Sequence, residues 1–331
     1  MASLVTDTTT TPTNNNNNNN IMEEELEDYE IAPNDTPCSA DVIDIDFSPK
    51  TNIYAAGLIN GMVELYQYSR GMQATCLITL QHHSQSCRNV RFCPFTNNNV
   101  LYTTSLDLSV TVIDVNKTTQ NINGSSSSRE NNYSIWSKPE AHGSSTAVNV
   151  ILPIEPNIFA SGDDEGNIKI WDVRQNSNKS AVMEFGDQDE YIGDMAISSD
   201  LSRLYSAGGD GTLAGYNLKQ RKLKKKSECL EDELLSIEIM KNGKKIVTGT
   251  QGGIINIFNQ NEYEYISDRF PGHPESVQSI VKIDEDTLLS GSSDGLIRII
   301  NILPNKLIGI VGEHDEDFPV ERICRSYDNN L

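Results

Sequence analysis

With 331 residues, 37% of them hydrophobic, the chain is long enough for one large repeat domain. No stretch approaches the roughly 18 uncharged apolar residues that a membrane-spanning helix needs. Lysine and arginine total 26 against 47 aspartates and glutamates, a formal net charge of −21, which disfavours unspecific nucleic-acid binding and favours basic protein surfaces as partners.

Residues 1–34 join a threonine run, the asparagines Asn14 to Asn20 and an acidic cluster from Glu23 to Glu30. A segment so poor in apolar surface cannot offset its ordering entropy, so a disordered tail is expected there, and without basic and apolar leader regions no secretory signal is read. The six cysteines, Cys38, Cys76, Cys87, Cys93, Cys229 and Cys324, contain no CxxC and read as free thiols inside the cell. From residue 35 onward a unit repeats: a β-branched run, a turn, a run ending in small residues, a tight Asp/Gly turn, and a third alternating run. The third runs are Gly61–Tyr66, Ser109–Asp114, Asn167–Asp172, Thr212–Asn217, Ile254–Asn259 and Leu296–Asn301. The turn glycines Gly166, Gly211, Gly253 and Gly295 are 45, 42 and 42 residues apart, the period of a four-stranded propeller blade. Leu108 holds the equivalent place in the second unit, and a serine-rich insert at 118–132 explains the longer spacing that follows. The fold expected over 35–331 is therefore an all-β propeller of six complete blades, with a seventh that begins at about residue 313 and lacks the strands to finish.

Ala141-His142, Phe159-Ala160-Ser161-Gly162 and Ile170-Trp171-Asp172 together resemble a complete WD repeat, as do Gly272-His273 and Ser290 to Gly295. The resemblance implies a buried hydrogen-bond network of His142, Ser161, Asp164 and Trp171, with the acid's register open because Asp163, Asp164 and Glu165 are adjacent. Tyr216, Phe258 and Ile300 replace the tryptophan elsewhere, so partial networks are expected there. Cys87-Arg88-Asn89-Val90, Glu190 to Ala196, Ser267 to Phe270 and the run from Asp294 through Asn301-Ile302-Leu303-Pro304-Asn305 to Gly312 resemble the WD repeat-containing protein 55 family over roughly residues 35–325. That resemblance implies a nuclear, largely nucleolar protein, with the cytoplasm left open, tied to ribosomal RNA maturation and large-subunit assembly, without catalysis or cofactor.

No phosphate loop, HExxH or GxSxG is present, and no catalytic residue is assigned. Cys76, His82, His83, Cys87 and Cys93 crowd together in no zinc spacing, so they read as structural and no metal is expected. Lys219, Arg221, Lys222, Lys224, Lys225 and Lys226 form the one strong basic run; it falls on an outer strand, where lysines block edge pairing, though it could also grip RNA or an acidic partner. Trp171, Asp172 and Arg174 match the WDxR signature of propellers that dock on the adaptor of a cullin-4 ubiquitin ligase, which makes a substrate receptor the alternative function.

In a propeller, the turn after the second strand and the loop entering the first strand share one face. Those stretches hold Asp163, Glu165, Asp189, Glu190, Glu231, Asp232, Glu233, Asp315 and Glu316 and no lysine or arginine. An acidic dock for basic proteins such as ribosomal proteins or assembly factors is expected on that face, with direct RNA contact left open.

Overall fold

The computed structural model describes residues 2–3, 35–69, 72–96, 99–120, 133–314 and 318–326. After β1 (Ala2–Ser3), the chain forms six antiparallel sheets around one axis, a β-propeller. Blade 1 comprises β2 (Val42–Phe47), β3 (Ile53–Leu58), β4 (Met62–Ser69) and β5 (Met72–Gln81). Blade 2 comprises β6 (Cys87–Phe92), β7 (Val100–Ser105), β8 (Val110–Asp114) and β9 (Ser134–Lys138), with the helix α1 (Val115–Gln120) before β9. Blade 3 is β10 (Val148–Glu155), β11 (Ile158–Asp163), β12 (Asn167–Asp172) and β13 (Met183–Gly186), and blade 4 is β14 (Ile192–Ile197), β15 (Arg203–Gly208), β16 (Leu213–Asn217) and β17 (Lys222–Lys226). Blade 5 is β18 (Leu234–Met240), β19 (Lys245–Thr250), β20 (Ile254–Asn259) and β21 (Glu262–Pro271). Blade 6 is β22 (Val277–Lys282), β23 (Thr287–Ser292), β24 (Leu296–Asn301) and β25 (Lys306–His314), and β1 pairs along the end of β25. Except for β1, the tail assigned to residues 1–34 lies outside the described residues, and so does the insert from 121 to 132; its first residues, expected as loop, close α1 instead.

The second strand of each blade is buried almost throughout, because neighbouring blades cover both of its faces. That double cover explains the small residues at its end. A Cβ on Gly162 would stand 2.7 Å from Ile192 Cβ of the next blade.

Adjacent first strands are tied by polar rungs. Asp44 Oδ2 accepts the Val90 N–H at 2.8 Å, Asn89 Oδ1 the Ile151 N–H at 3.0 Å, and Asp194 Oδ2 the Ile237 N–H at 3.2 Å. Ser236 Oγ donates to Val277 O at 3.1 Å. Each of these residues follows a register shift at the same place in its strand. Blade 3 has Val150 there, which cannot bond, and the Met195 N–H it would serve is taken by Asp194 Oδ1 of its own blade at 2.9 Å.

The expected incomplete seventh blade is present as one extended segment, residues 318–326. Ser279 Oγ accepts the Ile323 N–H at 3.1 Å, continuing the rungs, and Arg322 Nε meets Asp44 Oδ1 of blade 1 at 3.2 Å. Gly291 faces Val320 Cγ1 as Gly162 faces Ile192. This one segment, which belongs to no sheet, bridges blade 6 to blade 1. On blade 1, the face turned away from blade 2 packs Cys38 and Ala40 against Tyr54 and Tyr66, while outward on blade 6 Ile308 and Ile310 remain 54% and 55% exposed.

Candidate functional site

The turn after the second strand bonds back to the loop entering the same blade: Leu106 N to Ser86 O at 2.9 Å, Gly209 N to Tyr191 O at 2.8 Å, and Ser293 N to Ser276 O at 3.0 Å. It also abuts the loop entering the next blade. Gly166 has φ +81°, and a Cβ there would lie 2.3 Å from Gln188 O, so the turn demands glycine twice over. These contacts knit the turns and entry loops into one face.

In blade 3, His142 Nδ1 lies 2.7 Å from Asp163 Oδ2, His142 Nε2 lies 2.7 Å from Ser161 Oγ, and Trp171 Nε1–H donates to Ser161 Oγ at 2.8 Å. These contacts form one continuous hydrogen-bonded chain from Trp171 through Ser161 and His142 to the Asp163 carboxylate. The acid is Asp163 and not Asp164, which corrects the expectation: Asp163 ends β11 fully buried and its Oδ1 also accepts the Glu165 and Asn167 N–H groups, whereas Asp164 is exposed and bonds Asn149. Burial pushes the Asp163 pKa up, and the His142 and Asn167 hydrogen bonds outweigh it and hold the carboxyl below its ordinary value. Asp107, Asp210 and Asp294 cap their turns from two positions further on, the position that Glu165 occupies in blade 3. Glu165 is free because Asp163 has taken its work.

Other blades rebuild the network with different groups. In blade 2, His83 Nε2 meets Thr103 Oγ1 at 2.9 Å and its Nδ1 meets Ser109 Oγ at 2.9 Å and Asp107 Oδ2 at 3.3 Å. Blade 4 has no histidine: Gln188 accepts from Ser206 Oγ and donates to Thr212 O at 2.9 Å, beneath a buried Tyr216. Sequence reasoning missed Gln188, since an amide carries no part of the His–Ser–Asp pattern. In blade 6, His273 Nε2 reaches Ser290 Oγ at 2.8 Å, but Asp294 is held by Arg298 at 2.5 and 2.9 Å; burial first, and then Arg298, lower the His273 pKa to about 4.

The acidic set divides accordingly. Asp163 is fully buried and cannot touch a partner, a second correction. Asp232 Oδ2 accepts the Gly252 N–H at 2.7 Å, and Glu233 Oε2 accepts the Tyr191 hydroxyl at 2.7 Å, so both are half-buried parts of the framework. Glu165, Asp189, Glu190 and Glu231 face solvent, Asp189 with 90% of its side chain exposed. Asp315 and Glu316 lie outside the described residues. The face is also less purely acidic than its loops suggest, because strand residues reach it: Lys226 Nζ pairs with Asp210 at 3.0 Å and stands 3.7 Å from Asp189, and Arg88 stands 3.5 Å from Asp164.

Elsewhere, Arg174 is 63% exposed and forks onto Asp172 in its own turn, Nε to Oδ1 at 2.8 Å and NH2 to Oδ2 at 2.7 Å. Trp171 is core, and an open groove of about 630 Å3 runs beside Arg174 between Ile135, Trp136 and Gln175. Among the Cys/His group, His83 serves the blade 2 network, His82 Nε2 meets Thr103 Oγ1 at 3.0 Å, and Cys87 and Cys93 are packed in core. No group of histidines, cysteines and carboxylates that could hold a metal ion occurs among the described residues, nor does a helix long and apolar enough to cross a membrane.

The sequence profile described as WDR55 matches residues 33–331. The chain is 38% identical to WD repeat-containing protein 55 of Arabidopsis thaliana over 88% of its own length and 76% of the relative's. It is 35% identical to the WD repeat-containing protein 55 homolog of Dictyostelium discoideum, over 91% and 68% of the two chains. To WD repeat-containing protein 55 of Homo sapiens it is 34% identical, over 89% and 72%.

Proposed function

The chain belongs to the WDR55 family of WD-repeat proteins, and from that premise we propose that it is a non-enzymatic scaffold of ribosomal RNA maturation and large-subunit assembly in the nucleus and nucleolus. Its turn face holds basic segments of ribosomal proteins or assembly factors. One observation carries this reading. The turn carboxylates separate into those consumed by the framework, such as Asp163 and Asp210, and those left in solvent, Glu165, Asp189, Glu190 and Glu231, on one knitted face. A surface charge predominantly of one sign steers encounter with the opposite sign and selects partners by repulsion of the rest.

Changing Glu165, Asp189, Glu190 and Glu231 together to lysine should leave the melting temperature nearly unchanged. It should weaken binding of a lysine- and arginine-rich peptide about tenfold or more at low salt, measured by fluorescence anisotropy. Equal affinity for the parent and the variant refutes the dock. Purification of the tagged chain from cells tests the pathway, pre-ribosomal particles being the expected companions.

The exposure of Arg174 beside an open groove supports a second reading, a substrate receptor that presents this turn to a ubiquitin-ligase adaptor. The Asp172 fork would open for a partner's carboxylate. Loss of a co-purifying adaptor in Arg174→Ala, with pre-ribosomal particles retained, would favour it.

A further inference from the structure

The six cations of the basic run do not share one fate. Lys226 is spent on Asp210 and on Asp187 O, the latter at 2.8 Å, and Lys225 pairs with Glu264 of blade 5 at 3.0 Å. Lys219, Arg221, Lys222 and Lys224 are exposed, and none lies within 4.0 Å of a carboxylate among the described residues. The fold brings a fifth cation to them. Arg203 stands opposite Asn217, and Asn217 opposite Lys222, so the three side chains share one face of the sheet. The Arg203 guanidinium bonds the neutral Asn261 Oδ1 at 3.3 Å, no carboxylate lies within 4.0 Å of it among the described residues, and Asp200, which feels its charge, is occupied by the Ser198 and Ser202 hydroxyls.

Edge protection accounts for lysines on β17, but it needs neither the arginine contributed from β15 nor the absence of counter-charges in a chain of net charge −21. The Lys224 pKa is lowered by desolvation and then by Arg203 and Lys225, as expected where cations sit together without an anion.

We propose that the outer corner of blade 4, formed by Arg203, Lys219, Arg221, Lys222 and Lys224, is a docking site for a short acidic peptide motif of a partner protein. The cations lie along β17 and the turn before it with Arg203 alongside, and the neighbouring Lys225 and Lys226 are met by Glu264 on one side and by Asp189 and Asp210 on another. A cluster of two or three carboxylates fits between those acids. A longer polyanion would run onto the flanking acids within a Debye length and be repelled. No aromatic ring belongs to the group, so bases would find nothing to stack on, which sets RNA behind a peptide. The site is separate from the acidic turn face, and it stands or falls independently of that reading.

The test uses the full chain and a fluorescein-labelled probe peptide with a Glu-Asp-Glu core flanked by Gly and Ser. Fluorescence anisotropy should show binding at low salt that weakens as salt rises, and none with the Gln-Asn-Gln counterpart. Lys222→Glu with Lys224→Glu should weaken the probe at least tenfold, and so should Lys219→Glu with Arg221→Glu, a pair in an exposed turn that keeps the test valid if the strand variant fails to fold. The lysine substitutions on the turn face should not weaken the probe, and Asp189→Lys, which removes a flanking acid, should tighten it at low salt. The proposal is overturned if the probe does not bind, if a folded variant binds it as the parent does, or if a single-stranded RNA 12-mer binds this corner more tightly than the peptide.

Discussion

Blades 3 and 4 are neighbours with the same buried second strand, the same glycine turn and different polar interiors. Blade 3 runs a relay from Trp171 to Asp163 through a histidine; blade 4 puts Gln188, Ser206, Thr212 and Tyr216 in its place. Both middle strands nevertheless show the same burial, one half-covered residue followed by five buried ones. The contrast teaches that backbone geometry and inter-blade packing define a blade, while the polar network inside it is exchangeable. The rungs teach the same lesson. Val150 cannot bond across to blade 4, and Asp194 covers the loss by using both carboxylate oxygens.

The largest expected effect is common to both blades. Gly166→Ala and Gly211→Ala should each destabilise by about 3 kcal/mol or more in denaturant unfolding, since each Cβ would meet a backbone oxygen, at 2.3 and 2.5 Å, in a left-handed conformation. Strongly unequal losses would break the claim that the two turns are equivalent.

Asp163→Ala and Asp210→Ala should separate the blades. Removing Asp163 strands a buried His142 and three N–H donors and should cost about 3 kcal/mol; removing Asp210 leaves the Thr212 and Asp189 N–H groups, the Thr212 hydroxyl and Lys226 without their carboxylate, but near an exposed loop, and should cost less, about 2 kcal/mol. The Asp163 pKa is depressed in the folded chain. Its contribution is therefore complete above the unfolded value of about 3.9 and is lost as pH falls through the lower folded value, so the gap between parent and Asp163→Ala should narrow below pH 4.

A smaller effect is expected at Asp194→Asn, which leaves one acceptor for two N–H donors and should cost about 1 kcal/mol at neutral pH. Burial raises the Asp194 pKa to about 6 against the pull of Arg91. The folded chain thus holds a proton that the unfolded chain releases between about pH 4 and 6, and this group's contribution to stability falls as pH rises through that window. The asparagine variant should lose that part of the pH dependence, as thermal melts of the two chains at pH 5 and 8 would show.

The blades were legible in the sequence because two signals recur in most of them: a third run with apolar residues at alternate positions, and a glycine at the turn where φ is positive. Leu108, which adopts φ 71° at the same turn, was legible only by spacing. The site was half legible. Ser161, His142 and Trp171 lie within hydrogen-bond reach of one another, whereas choosing between Asp163 and Asp164 depends on whether a strand ends one residue sooner or later, which composition does not encode. Counting back from Gly166 would have selected Glu165, the residue that stays free. The roles of Asp44, Asn89 and Asp194 were not legible, because the partner each of them bonds is a backbone N–H some 40 to 60 residues away.

The segment that bridges blade 6 to blade 1 gives the ring a seam. Elsewhere the circumference is four strands thick, and there a segment outside the regular strands closes it, held by its bonds to Ser279, Ser292 and Ile283 on blade 6 and by the Arg322 ion pair with Asp44 on blade 1. A ring opens at its thinnest arc, so slow breathing of this molecule begins between its last blade and its first.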